Sequence, residues 1–372
     1  MRRALLVALT IVGVACGSFG TADDTTPAPS NDGGPGADGA AGDGGSCTEE
    51  EKKTPKHCGR CGRDCGGGEC KDGECRPYEI VSNVASWYLA VDDDYVYWTS
   101  RIAPEFPNRG NGKVMRAKKL GGEPPQEVYS NANCFDVASI GNAVFVTTFL
   151  GGTNGSIQRI PLDGASVGVA EPMATLGVEV TARDKNVYSV EVASPNNVLV
   201  MDATKLKSVV AQFGVQEDDI EGLATDETYL YMSSHLQGGA IYRLPLSGGS
   251  QLYTIASNLA YPRRLSVDDE YVYWSSDGNF GVYRVRKNGV DPAPEQILEG
   301  DIKYGKAVVS GDRIYATMQN ESRFVRGSKD GTPSKRVPIM DGLDNPIGIA
   351  QDDVAVYFGE YGNNGSIWRM VK

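Results

Sequence analysis

The sequence predicts an all-β fold, a closed ring of seven four-stranded antiparallel sheets, and three observations carry that expectation. First, an aliphatic residue followed by an aromatic ring recurs along the 372-residue chain, the ring falling at Tyr97, Phe145, Tyr188, Tyr231, Tyr273, Tyr315 and Tyr357. Successive gaps are 48, 43, 43, 42, 42 and 42 residues, and a repeat of such constant length is one structural unit written seven times. Second, an apolar residue sits eight places before each ring, at Leu89, Val137, Val180, Leu223, Leu265, Ala307 and Ile349, with a polar turn between. A third run such as "GSIQRIPL" or "GVYRVRK" and a fourth such as "QEVYSN" follow, so each unit reads as four short strands, one propeller blade. Third, the last copy stops after its third strand, "GSIWRMVK", while an orphan fourth strand, "YEIVSN" (Tyr78 to Asn83), precedes the first ring. Pairing that strand with Gly365 to Lys372 closes the circle and leaves no open edge at the junction. The expectation is a seven-bladed β-propeller over residues 77–372, in which each sheet is unstable alone and is covered on both faces by its neighbours.

Ahead of the propeller, three segments read differently. Residues 1–15 carry Arg2 and Arg3, then the apolar run "ALLVALTIVGVA", then Cys16 directly after a small Ala15, the order of an export signal too short to span a bilayer. With "GVAC" before the break, the segment resembles a bacterial lipoprotein signal. The resemblance implies lipidation of Cys16 and anchoring in the cell envelope, with the outer membrane as the expected destination. The alternative is ordinary cleavage downstream and a secreted soluble protein. Residues 16–46 are rich in Gly, Ala, Asp and Pro with almost no large side chain, so they bury nothing and form a disordered linker. As a flexible coil it reaches roughly 30 Å.

Residues 47–76 hold six cysteines, Cys47, Cys58, Cys61, Cys65, Cys70 and Cys75, and almost no aliphatic side chain. Such a segment needs covalent or metal support, and in an exported chain three disulfides are expected, with 15 possible connectivities open. The alternative takes Cys58 and Cys61 as a knuckle holding zinc with Cys65 or Cys70. The spacing "CGRCGRDCGGGEC" is similar to the short cysteine-rich motif of stigma-specific secreted proteins. Cys134 is left over and is expected as a buried thiol or, alternatively, an intermolecular link.

The stretch "VDDDYVYWTS" at 91–100 returns as "VDDEYVYWSS" at 267–276. Its "YVYW" core resembles the YWTD repeats of lipoprotein-receptor propellers and the period is similar to that of bacterial surface proteins carrying such repeats. The complete blade pattern beside an absence of catalytic residues points to a binding or scaffold role without catalysis.

Net charge of -12 disfavours a phosphate backbone as partner, which excludes nucleic acid. In a propeller the start of each innermost strand surrounds the mouth of the central channel, so nine to twelve residues before each ring are the positions to inspect. They hold Trp87, Tyr88, Phe135, Asp136, Glu179, Asp219, Glu221, Tyr261, Arg263, Arg264, Tyr304, Lys306 and Asn345. Aromatics among both signs of charge suit an envelope protein or a glycan; the plainer expectation is that a channel mouth is polar because it meets water. Asp136, Glu179 and Glu221 come from three consecutive blades and can converge on calcium, which would make the chain a metal-assisted, lactonase-like hydrolase. No cofactor and no catalytic residue is otherwise expected. Of two histidines, His57 lies in the cysteine module and His235 reads as an isolated surface side chain. Six arginines recurring near third-strand ends, from Arg116 to Arg369, are expected to pair with carboxylates of their own or the next blade.

Overall fold

The computed structural model describes residues 47–372 apart from 101–111, 131–133, 150–154, 165, 176, 192–195, 203–205, 214–219, 248–250, 290–292, 304, 331–335 and 363. The expectations on Cys16, the linker, Asp219 and Tyr304 lie outside the described residues. The rest belongs to one compact unit, Gly44–Lys372. Among the described residues one helix forms, a single 3-10 turn at Glu51–Lys53, and none is long and apolar enough to cross a membrane.

Seven antiparallel sheets form a seven-bladed propeller. Blade 1 runs Leu89–Val91, Tyr95–Ser100, Lys113–Lys118 and Gln126–Ser130 in that spatial order. Blade 7 takes Pro346–Gln351, Ala355–Glu360 and Ser366–Val371 from the end of the chain and Tyr78–Ser82 from its beginning. Tyr78 pairs with Arg369 and Ser82 with Ser366, so the orphan strand closes the ring where the sequence placed it. Blade 2 is the irregular one: Ser166–Val167 and Glu171–Thr175 both pair with its third strand, Gly155–Asp163.

Strand periodicity explains the recurrent aliphatic-aromatic pattern. Successive side chains point to opposite faces, and both faces of a blade are interior. Val272 and Trp274 therefore join the apolar cluster with blade 4, while Tyr273 between them joins the cluster with blade 6. Seven such clusters fill the interfaces between neighbouring blades.

Polar side chains repeat as faithfully as apolar ones. The turn aspartate between first and second strands is more than turn chemistry. In blade 5, Asp268 Oδ1 accepts the N–H of Glu270 and Tyr271 at 2.8 Å, while Oδ2 accepts the Tyr273 hydroxyl at 2.7 Å and the Lys329 ammonium of blade 6. Asp226 does the same with Tyr231 and Lys287, and Asp352 with Tyr357 and Lys119 across the seam. Burial works to raise the Asp268 carboxyl, but Lys329, Tyr273 and the two N–H groups hold it below its ordinary value. The third-strand arginines differ from expectation in part. Arg159 and Arg284 do meet carboxylates, Glu171 and Glu295, whereas Arg116, Arg243 and Arg284 donate to the backbone carbonyls of Gly164, Lys287 and Lys329 in the next blade. A guanidinium has donors enough to serve both.

A buried hydroxyl two places after the ring stitches innermost strands together. Thr99 Oγ1 donates to Phe135 O of blade 2 at 3.0 Å and accepts the Tyr88 N–H at 3.2 Å; Thr317 donates to Ile347 O. Thr99→Val keeps the shape and strands those partners, so unfolding in urea is expected to show a loss of about 1–3 kcal/mol; an unchanged midpoint would refute the stitching role.

The cysteine module contains the disulfides Cys47–Cys61, Cys58–Cys70 and Cys65–Cys75, so every sulfur considered for zinc is engaged in a disulfide. Its hairpin Cys70–Lys71 and Glu74–Cys75 turns through Asp72 (φ 54°) and Gly73 (φ 73°), the left-handed pair a two-residue hairpin requires. The module sits at the seam. Cys58, Cys65 and Cys75 pack with Val371, the Gly66 carbonyl accepts from Arg369, and Glu74 accepts from Arg313 and Arg326 of blade 6. Blade 7 has no chain linking its third strand to its fourth, and the module occupies that end.

Candidate functional site

First strands begin irregularly, and that irregularity builds the site. A register shift falls between Cys134 and Val137, Gly177 and Val180, Ile220 and Gly222, Arg263 and Ser266, and Pro346 and Ile349. A bulge bends a strand and re-aims a side chain, here beside Asp136, Glu179, Glu221 and Arg264. Arg264 itself has φ 50°, a left-handed conformation costing a non-glycine residue on the order of 1–3 kcal/mol.

Beneath the mouth, the inner strands enclose a cavity of about 340 Å³. One small side chain per blade lines it in most blades, at Ala90, Ala138, Ala182, Ala224, Ser266 and Ala350, with Val308 in blade 6. Their small size leaves the channel open.

The expected site residues separate into three groups. Tyr88, Asp136, Glu179, Arg264 and Lys306 line the channel, with Phe135 alongside. The Arg264 guanidinium lies 3.9 Å from the centre of the Tyr88 ring, and that ring meets Phe135 edge-on at 5.4 Å. Arg264 Nη1 donates to Glu179 Oε1, while Asp136 accepts the N–H of Val137 at 2.9 Å and of Val180 at 3.1 Å. Burial pushes Asp136 up to about 6 against the N–H of Val180, the charge of Lys306 and the N–H of Val137. Burial, then the charges of Asp136 and Glu221, raise Glu179 well above the carboxylate range.

A second group gathers at the mouth around His235. Its Nε2 lies 3.2 Å from Asp277 Oδ2 and its Nδ1 3.8 Å from Glu221 Oε2. Arg263 donates to Glu221, reaches Asp277 Oδ2 through Nε at 3.3 Å, and brings Nη2 to 3.4 Å from His235 Nδ1. Tyr261, 38% exposed, has its ring 5.4 Å from the imidazole, and Phe280 stands 51% exposed nearby in chain on the loop after Ser276. His235 is therefore no isolated surface side chain. Asp277 and Phe280 were missed because they lie on the connection between second and third strands, away from the first-strand starts that the repeat singled out. Trp87 forms the third group, edge-on to Tyr361 at 4.6 Å. Asn345 lies beside it, donating to Asp344 Oδ1.

Chemically, the arrangement sets aromatic rings among charges of both signs. Ser233 and Ser234, neighbours of His235, are fully buried, so neither hydroxyl is presented to a substrate. Asp136, Glu179 and Glu221 do feel one another, but guanidinium groups already hold Glu179 and Glu221. Among the described residues, the only group that brings three potential metal ligands within 4.8 Å is Cys58, Cys65 and Cys75, whose sulfurs are in disulfides. Cys134 is buried and outside the disulfides.

No family model matches the chain, and no curated protein matches it. Solved structures do resemble it in fold. A streptogramin B lyase is 14% identical with a TM-score of 0.60, over 79% of this chain and 96% of that one. A catalytically inactive virginiamycin B lyase from Staphylococcus aureus with quinupristin is 15% identical, TM-score 0.58, over 80% and 98%. BamB from Moraxella catarrhalis is 15% identical, TM-score 0.50, over 78% and 86%. At such identities the likeness is one of propeller architecture.

Proposed function

We propose that this chain is a cell-envelope lipoprotein, anchored through Cys16, that acts without catalysis as a binding or scaffold protein through the channel-mouth face of its propeller. The observation that carries the reading is the mouth itself: exposed Tyr261 stands against the compact charged group of Glu221, His235, Arg263 and Asp277, and exposed Phe280 follows Asp277 on the same loop. Exposed rings supply stacking area and the fixed charges supply orientation, which suits an envelope protein or a glycan. A propeller as similar in architecture as BamB is compatible with that role.

The test is binding of the purified protein to a glycan array and to envelope proteins. Tyr261→Ser with Phe280→Ser removes both rings from exposed positions and is expected to weaken binding at least tenfold with the melting temperature unchanged. Undiminished binding would remove the mouth from consideration. Anchoring is checked separately: Cys16→Ser is expected to release the protein into the soluble fraction.

The calcium-dependent hydrolase is the second reading, favoured only by the mutual proximity of Asp136, Glu179 and Glu221. Calcium titration is expected to give no saturable heat, since an ion requires six or more oxygens and must displace Arg264 and Arg263. Saturable heat lost in Glu179→Ala would decide for the hydrolase.

A further inference from the structure

We propose that the central channel binds a small monocarboxylate with an apolar body, its carboxylate held by Lys306 and Arg264, at a site separate from the macromolecular surface of the mouth and independent of it. Lys306 lines the 340 Å³ cavity, yet no carboxylate oxygen lies within 4.0 Å of its ammonium among the described residues. Its charge is met only at longer range by Asp136 and Glu179.

Those two carboxylates have partners of their own. Asp136 accepts two backbone N–H groups, and Glu179 accepts Arg264. Burial raises both acids, so the pair resists carrying two full negative charges, while a guanidinium stays protonated. The channel therefore sets two cations, Lys306 and Arg264, against two acids that burial keeps from ionising fully together, while burial lowers the two cations as well.

Arg264 is also held ready. It is 5% exposed, its Nε is buried with no hydrogen-bond partner, and the Tyr88 ring fixes its plane. The left-handed backbone at this residue persists because its surroundings determine it, and strain of that kind concentrates where a side chain must be aimed. A buried donor without a partner costs about 1–3 kcal/mol, which an incoming carboxylate would recover.

The remaining wall decides between anions. Val137, Val180, Leu265, Val308 and Ile349 line the same cavity. A phosphate would lose its hydration against these side chains without replacement, whereas a carboxylate on a short hydrocarbon matches cations on one side and apolar wall on the other.

Calorimetry with butyrate, hexanoate and inorganic phosphate tests this on the full chain. One saturable site per chain is expected for a carboxylate and none for phosphate. Lys306→Met is expected to weaken it at least tenfold, Lys306→Arg to retain most of it, and Ala90→Leu, which fills the channel and leaves every charge, to weaken it likewise. Silence from both carboxylates overturns the site, and saturation by phosphate alone overturns the ligand class. Undiminished binding in Lys306→Met overturns the role of that lysine. Should that variant fail to fold, undiminished binding in Ala90→Leu overturns the location.

Discussion

Phe358→Ala is expected to lower the unfolding free energy by about 3–5 kcal/mol, the cost of a large cavity in a core that relaxes only partly. Phe358 has no exposure; its ring stacks on Phe324 of blade 6 at 4.0 Å and lies 6.3 Å from Trp368 of its own blade. It thus belongs to the contact between blades 6 and 7, next to the seam, where only non-covalent pairing joins the last strands of the chain to Tyr78–Ser82. Two-state stability should fall without loss of the folded baseline. Tyr253→Ala, at a ring 37% exposed, is the internal comparison and should change stability by less than about 0.5 kcal/mol. If both variants unfold at the same urea concentration, contact between blades is not what stabilises the ring.

Loss of the disulfide Cys58–Cys70, by Ser at both positions, is expected to cost about 2–5 kcal/mol, and to do so by loosening the propeller and not the module alone. Cys58 lies in the cluster that packs Val371, the final residue of the third strand of blade 7. Proteolysis should then cut near Tyr78 first; cleavage confined to residues 47–76 would show that the module is a passenger. Glu74 gives the same seam a dependence on pH. Burial works to raise its carboxyl, but hydrogen bonds from Arg326, Arg63 and Arg313 bring it down to about 2. A folded value below the unfolded one stabilises above the ordinary carboxylate range and is lost as pH falls from about 4.5 toward 2. Melting temperature should therefore fall across that window, and Glu74→Gln should remove part of the slope. An unaltered acid profile in that variant would contradict the assignment.

Residue by residue, what the sequence disclosed and what it withheld divide along a physical line. Local periodicity reports which way a side chain points relative to its own strand, so the seven rings, their aliphatic partners and the four strands of each blade were readable from spacing. The displaced strand at Tyr78 was readable because an unpaired edge is costly wherever the chain leaves one. Candidate residues at first-strand starts, from Tyr88 to Lys306, were readable as a position in the repeat. Their grouping was not. Arg264 of blade 5 meets Tyr88 of blade 1 and Glu179 of blade 3 across the channel, and no spacing encodes a distance across a ring. His235 looked isolated because Asp277 lies 42 residues away in sequence, one full blade. Nothing in the sequence singled out Glu74, because only the seam brings Arg313 and Arg326 to it. Sequence by itself determined the repeat, the number of blades and the way the circle closes, because each follows from local pattern and from the need to cover apolar faces and strand edges. Only the tertiary structure decided which charges meet in the channel, which surround His235 and what holds the module to the seam, because those contacts join residues whose separation is set by the curvature of the whole ring.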